Sequence, residues 1–388
     1  MTPPWASALR LKLTPGLGLR RCRLLLDALG GCEQVLHASD DLLRGVLGVK
    51  LWAALRQAPV GLARAQAQIS QWLSASPAGY RHAVLSWGDA AYPKGLAELP
   101  DPPLLLFVAH ASDDPVHLWP ASVAVVGSRG ATPQGIALTR QWAHGLADAG
   151  WCVASGLARG IDAAAHCGAL QSARPGCLTV AAMATGPDRV YPGDHASLKA
   201  RIMARGRCIS EQLPGVAARP MHFPLRNRLL VALSAAVLVI EADLESGSLI
   251  SAQCALDQGR DVMAVPGSVL SPQSRGCHAL IRQGATLVTS VAEVLDALPR
   301  GPDVPRMPWT DTQLTQSGAN PQSDRGQAPQ QDQIRAIQAA LGHDPLPVDV
   351  LIQRLPYPVS EIRAQLQALE WQGHVAYLPG DRVQWLRQ

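Results

Sequence analysis

Between residues 82 and 298 the chain repeats one arrangement: a short, mostly apolar run, a turn, then a stretch with apolar residues at helical spacing. The runs are Leu104–Val108, Ser122–Val126, Trp151–Ala154, Leu178–Ala182, Cys208–Ser210, Ala236–Glu241, Asp261–Val265 and Thr286–Thr289. They lack the strict polar alternation of a strand with one wet face, so they predict strands covered on both sides, as in a parallel sheet. Thr132–Ala149 and Asp162–Leu170 predict two of the connecting helices, the first with Thr132 as N-cap and Pro133 in the first turn. Strand and helix in alternation predict an α/β fold: a Rossmann-like, doubly wound, mostly parallel sheet that binds its ligands at the carboxyl ends of the strands.

The flanks carry other patterns. Residues 9–75 read as short helices, with Leu13-Thr-Pro-Gly-Leu-Gly18 before one and Ser39-Asp-Asp-Leu-Leu as an N-capped start of another. A Pro-Gly-x-Gly hairpin between helices can present backbone amides to nucleic-acid phosphates, as in helix-hairpin-helix or SAM-like modules, or can be purely structural. Residues 299–332, rich in Pro, Gln, Ser and Asp, have the composition of a linker. Beyond Gln333 come helical patterns, then two apolar runs about a Pro-Gly-Asp turn, which predict a small winged-helix domain. The chain thus divides into an N-terminal helical domain (1–80), the sheet domain (81–298), a linker (299–332) and a winged-helix-like domain (333–388). Ser360–Gln372, the candidate recognition helix, holds one arginine and two glutamates, which favours a protein contact over a DNA contact.

Composition narrows the class. With 47% apolar and 16% charged residues, the 388-residue chain has the makings of a folded protein rather than a disordered one. Its apolar stretches break before the ~18 residues a membrane helix needs, and Met1-Thr-Pro-Pro-Trp5 lacks the layout of a signal peptide. Eight scattered cysteines without a CxxC pair point to free thiols in a reducing cytoplasm. The net charge of +4 decides nothing, but its distribution does more: seven basic residues (199, 201, 205, 207, 219, 226, 228) and one acid, Glu211, lie between Lys199 and Arg228. Such an excess marks either an anion-facing surface or a solvated helix face.

Candidate chemistry sits at the strand ends. Val123–Val126 runs into Gly127-Ser128-Arg129, and a second run ends in Ser155-Gly-Leu-Ala-Arg159-Gly-Ile-Asp162. A helix follows each turn, so its free amides and positive dipole end, with an added arginine, suit a phosphate. The alternative for Arg159 is a structural pair with Asp162. Ser246-Gly247-Ser248 forms a third turn of this type. Phe223-Pro-Leu-Arg226-Asn227-Arg228 opens another helix with two arginines at the dipole's unfavourable end, which implies a compensating anion. Phe223 beside them either stacks on a base, as single-strand binding requires, or plugs the core under the helix. The span lacks GxGxxG and the acidic residue that holds a ribose, so a nicotinamide cofactor is not expected, nor any other. His166, His195 and His278 show no ligand spacing and are read as packing residues, with no metal.

Taken together and in order, these motifs, with Asp188-Arg-Val-Tyr-Pro192, Val265-Pro-Gly267 and Arg275-Gly-Cys-His-x-Leu-Ile281, resemble the bacterial DNA-processing protein A (DprA/Smf) family over residues 122–290. The resemblance implies a cytoplasmic homodimer, without enzymatic activity, that binds and protects single-stranded DNA entering during natural transformation and helps load the RecA recombinase. Carried over by motif, the DNA pocket comprises Gly127, Ser128, Arg129, Arg159, Phe223, Arg226, Asn227, Arg228, Ser246, Gly247 and Ser248. By the same resemblance the dimer interface lies near His278, Ile281 and Leu287. The chain departs from the family pattern at Ala232 (commonly glycine), Met263 (usually phenylalanine) and Thr286 (frequently lysine). The rival reading is a nucleotide phosphoribohydrolase-like enzyme on the same fold. It needs a glutamate where this chain has Ser251, which leaves acid/base help at the sugar without a source.

Overall fold

The structure is a computed structural model that describes residues 3–111, 113–299, 328–341, 345–378 and 380–386. Five helices come first: α1 (Ala6–Leu13), α2 (Leu19–Leu29), α3 (Cys32–His37), α4 (Asp40–Arg56) and α5 (Leu62–Ser74). Then β1 (Tyr80–Ser86), α6 (Lys94–Ala97), β2 (Leu105–Ala111), β3 (Ser122–Val126), α7 (Pro133–Asp148), β4 (Cys152–Ser155), α8 (Ile161–Ala169) and β5 (Thr179–Ala182) follow. Next come α9 (Ala196–Arg205), β6 (Gly206–Ser210), α10 (His222–Ala232), β7 (Ala236–Val239) and α11 (Gly247–Asp257). This part closes with β8 (Asp261–Ala264), α12 (Pro272–Arg282), β9 (Thr286–Leu287) and α13 (Val291–Ala297).

The nine strands form one sheet in the order β1-β2-β6-β5-β4-β3-β7-β8-β9. Seven of them, β6 through β9 in that order, are parallel, while β2 joins β6 and β1 joins β2 antiparallel. The sheet is therefore mostly parallel, as the apolar runs predict. Strand β1 is absent from that reading because Arg81 and His82 interrupt it and only its last two residues are buried. From β3 the chain winds outward to β6, then returns to lay β7 on the other flank of β3. A ligand crevice belongs where the winding direction reverses, at the carboxyl ends of β3 and β7.

Side chains alternate along each strand and feed two cores. Val123 and Val125 pack under α7, α8 and α13, whereas Ala124 and Val126 face the layer of α6, α10, α11 and α12. The N-terminal helices close no separate core: Leu9, Leu25 and Trp72 join Phe107, Met183 and Ile202 in one cluster. In the tail, α14 (Ala328–Leu341), β10 (Leu346–Pro347), α15 (Val348–Arg354), α16 (Val359–Trp371), β11 (Val375–Leu378) and β12 (Arg382–Trp385) make three helices and a three-stranded sheet around their own core. Helix α14 begins before Gln333, inside the stretch read as linker, and the rest of that stretch from 300 to 327 lies outside the described residues. Among the described residues no helix is long and apolar enough to cross a membrane.

Candidate nucleic-acid interface

The Gly127–Thr132 turn leaves the end of β3 and is fastened on both sides. Ser128 N donates to Glu241 O at 2.7 Å, and Ile161 N donates to Ser128 O at 3.2 Å. Gly127 is required there, since a Cβ would press on Ile161 and on the Glu241 carbonyl. Thr132 caps α7 by accepting from Gly135 N at 3.0 Å. Its own N and Oγ1 donate to the Glu241 carboxylate at 2.9 and 2.6 Å. That carboxylate therefore occupies the amino end of α7, and a Cβ on Gly135 would run into it. Burial pushes the Glu241 pKa up, against the two hydrogen bonds from Thr132. At this helix start a protein carboxylate takes the Thr132 amide, while Gly127, Ser128 and Arg129 of the same turn line the crevice.

The start of α11 differs. Its N-cap is Ser246, whose hydroxyl accepts from Ser248 N at 3.3 Å and lies 2.6 Å from Ser248 Oγ. Among the described residues no carboxylate hydrogen-bonds to its first amides, and nothing stands within 4 Å of where a Cβ on Gly247 would be. This helix end faces a crevice of about 430 Å³. Gly127, Ser128, Arg129, Phe223, Arg226, Asn227, Ser246, Gly247 and Ser248 all line it, so nine of the expected residues meet at one site. Arg129 sits on an exposed turn with its Cζ 4.9 Å over the ring of Phe223.

Arg226 and Arg228 have parted. Arg226 is buried in the crevice wall, 3.6 Å from Asp162, and its Nε has no hydrogen-bond partner. Its guanidinium lies where a Cβ on Gly156 would be, so only glycine admits it. Burial lowers its pKa, Asp162 raises it, and nearby Arg129 lowers it again. Arg228 does not line the crevice: it donates to the buried Glu211 carboxylate and, at 2.7 Å, to Asp101 O. The anions that compensate the two arginines of this helix start are thus the protein's own carboxylates. Arg159 also stands apart from the crevice lining, largely exposed and paired with Asp194 at 3.0 Å rather than with Asp162.

The basic stretch from Lys199 to Arg228 is not one surface. Lys199 donates to Pro187 O and Arg189 O, and Arg205 to Ser172 O. Arg207, fully buried, grips Asp114 at 2.6 and 2.8 Å and lies over the Trp119 ring. With Arg228, and with Arg226 beside Asp162, that makes five of the seven held by partners within the protein. The histidines serve structure. Buried His166 meets Thr179 Oγ1 at 2.7 Å and is pushed down to about 3, His195 contacts Leu157 O, and His278 contacts Gly267 O. Among the described residues no cluster could hold a metal ion.

Three carboxylates escaped the sequence reading: Asp243 and Glu245 line the crevice, as does Asp162, expected only as a partner of Arg159, and Glu241 locks its first turn. Their signal was present, since Glu241, Asp243 and Glu245 directly follow β7. The arrangement offers cations, an open helix start and an aromatic ring, bounded by acids, in a cleft of about 430 Å³.

A family model described as DNA recombination-mediator protein A matches residues 83–299, and the DprA winged helix domain matches residues 321–381. Protein Smf of Escherichia coli is 37% identical over 78% of this chain and 77% of its own length. The DNA processing protein DprA of Streptococcus pneumoniae is 44% identical over 53% of this chain and 71% of its own. A crystal structure of the Streptococcus pneumoniae protein superposes with a TM-score of 0.65 at 33% identity, covering 78% of this chain and all of that one.

Proposed function

The chain belongs to the DNA recombination-mediator protein A family, and from that premise we propose that it binds single-stranded DNA without catalysis, protects it and helps load a RecA-class recombinase during natural transformation. One observation carries the reading: at the reversal of the sheet winding, Arg129, Arg226, Asn227 and the open start of α11 converge beside Phe223. A charged rim beside aromatic rings suits phosphates and base faces without reading base identity, which is the recipe for binding that ignores sequence.

Arg159 and Arg228 drop out of the pocket proposed. The hydrolase reading is disfavoured by Ser251, whose side chain lines the crevice where that enzyme needs a carboxylate. For self-association, the edge position of β9 and the exposure of Leu287 support the region of His278, Ile281 and Leu287 as the dimer interface. A cytoplasmic location fits the eight free cysteines.

Fluorescence anisotropy with short labelled oligonucleotides tests the reading. Affinity is expected to be nearly independent of base sequence and to fall with salt at about −0.7 in log K per log salt for each phosphate contacted, hence roughly −3 to −4 for about four to six contacts. A flat salt response, or tighter binding to duplex, refutes it.

A further inference from the structure

We propose that Tyr191 is a base-stacking residue of this surface, and that Phe223 acts mainly by holding Arg129. The inference rests on the single-strand reading above. The ring of Phe223 already carries the Arg129 guanidinium over it at 4.9 Å. Tyr191 meets that ring nearly edge-on, with centroids 5.5 Å apart at 63°. A ring covered by a cation on one side and abutted by a second aromatic has little free surface for a base. Tyr191, 51% exposed and just outside the crevice, has that surface.

The segment that carries Tyr191 is pinned. The Lys199 ammonium, itself buried and with its pKa lowered by that burial, donates to Pro187 O at 2.6 Å and to Arg189 O at 2.9 Å. Gly186 N donates to Val216 O, Gly215 N donates to the Asp188 carboxylate, and Pro192 is buried. A charged amine sunk into the fold to fix two carbonyls holds an exposed aromatic in place. Stacking on a ring so held costs little further ordering. The strand would then enter with a phosphate at Arg129 and Arg226 and place a neighbouring base on Tyr191.

The test compares oligothymidylate with an abasic chain of equal length, for each protein, so that the ratio of affinities is insensitive to the fraction of active protein. Wild type is expected to prefer the base-bearing chain, and Tyr191→Ala to lose about 5- to 150-fold of that preference, the span that stacking one base covers. Tyr191→Phe should retain it. Phe223→Leu should instead flatten the salt slope by about 0.7, one phosphate contact, because Arg129 loses its support. If Tyr191→Ala keeps the wild-type ratio, or if wild type shows no preference for bases, Tyr191 does not stack, while phosphate-driven binding stands. If wild type binds neither chain, the single-strand reading itself fails.

Discussion

Two residues apart on α10, Arg226 and Arg228 share a motif and burial, and each has a carboxylate partner of its own, yet they face different worlds. Arg228 looks to the back of the helix, with its two terminal nitrogens given to the Asp101 carbonyl and to Glu211. Arg226 looks into the crevice with one carboxylate at 3.6 Å and donor capacity unspent. The Nε of each is without a hydrogen-bond partner, so the difference lies at the guanidinium ends, held by protein oxygens in Arg228 and turned to the crevice in Arg226.

The largest expected effect tests the Arg228 side. Arg228→Ala leaves Glu211 buried without this partner and should cost about 3–5 kcal/mol of stability, seen in urea unfolding, while oligonucleotide affinity per folded molecule stays at the wild-type value. On the crevice side, Arg226→Ala should weaken binding by about 1.5–3 kcal/mol, the span for a hydrogen bond to a charged group, read by anisotropy. Asp162→Asn sharpens the contrast: with the competing carboxylate neutralised, binding should tighten, whereas a melt like that of Arg228→Ala would show Arg226 to be equally structural. Ser246→Ala removes the cap of α11 and should lower stability by about 1 kcal/mol, checked by thermal melt. The smallest effect concerns Glu241. Because burial raises its pKa, the folded chain keeps the proton where the unfolded chain has lost it. The stability present below the ordinary value of 4.5 is lost as pH rises through the raised one. Glu241→Gln should flatten that part of the stability–pH curve, measured by melts at stepped pH.

Much of this could be read from residues alone, for physical reasons. Strands covered on both faces can be little but apolar, so β3, β4, β5 and β7 announce themselves, while the half-wet edge strand β1 does not. Glycine turns at strand ends mark the crevice because backbones close to a ligand, or to Arg226 at Gly156, leave no room for a Cβ. Which arginine faces the crevice was also accessible. Residues two apart on a helix point roughly 200° away from each other, so Arg226 and Arg228 cannot serve one pocket, whereas Phe223, Arg226 and Asn227 share a face. The partners were not accessible: Glu211, Asp114 and Asp194 find their arginines across long separations in sequence, which only the closed fold brings together.

The adjacency of β3 and β7 has a consequence in time. Val123 pairs with Ala236 across more than a hundred residues, with β4, β5 and β6 laid down between them in sequence. Pairings that close such long loops are slow to form. The turn after β3 and the segment after β7 both line the crevice, so a chain that has assembled β3 through β6 but not yet docked β7 has an incomplete crevice. Recovery of oligonucleotide binding during refolding therefore reports the closing of the central sheet, not the formation of its first half.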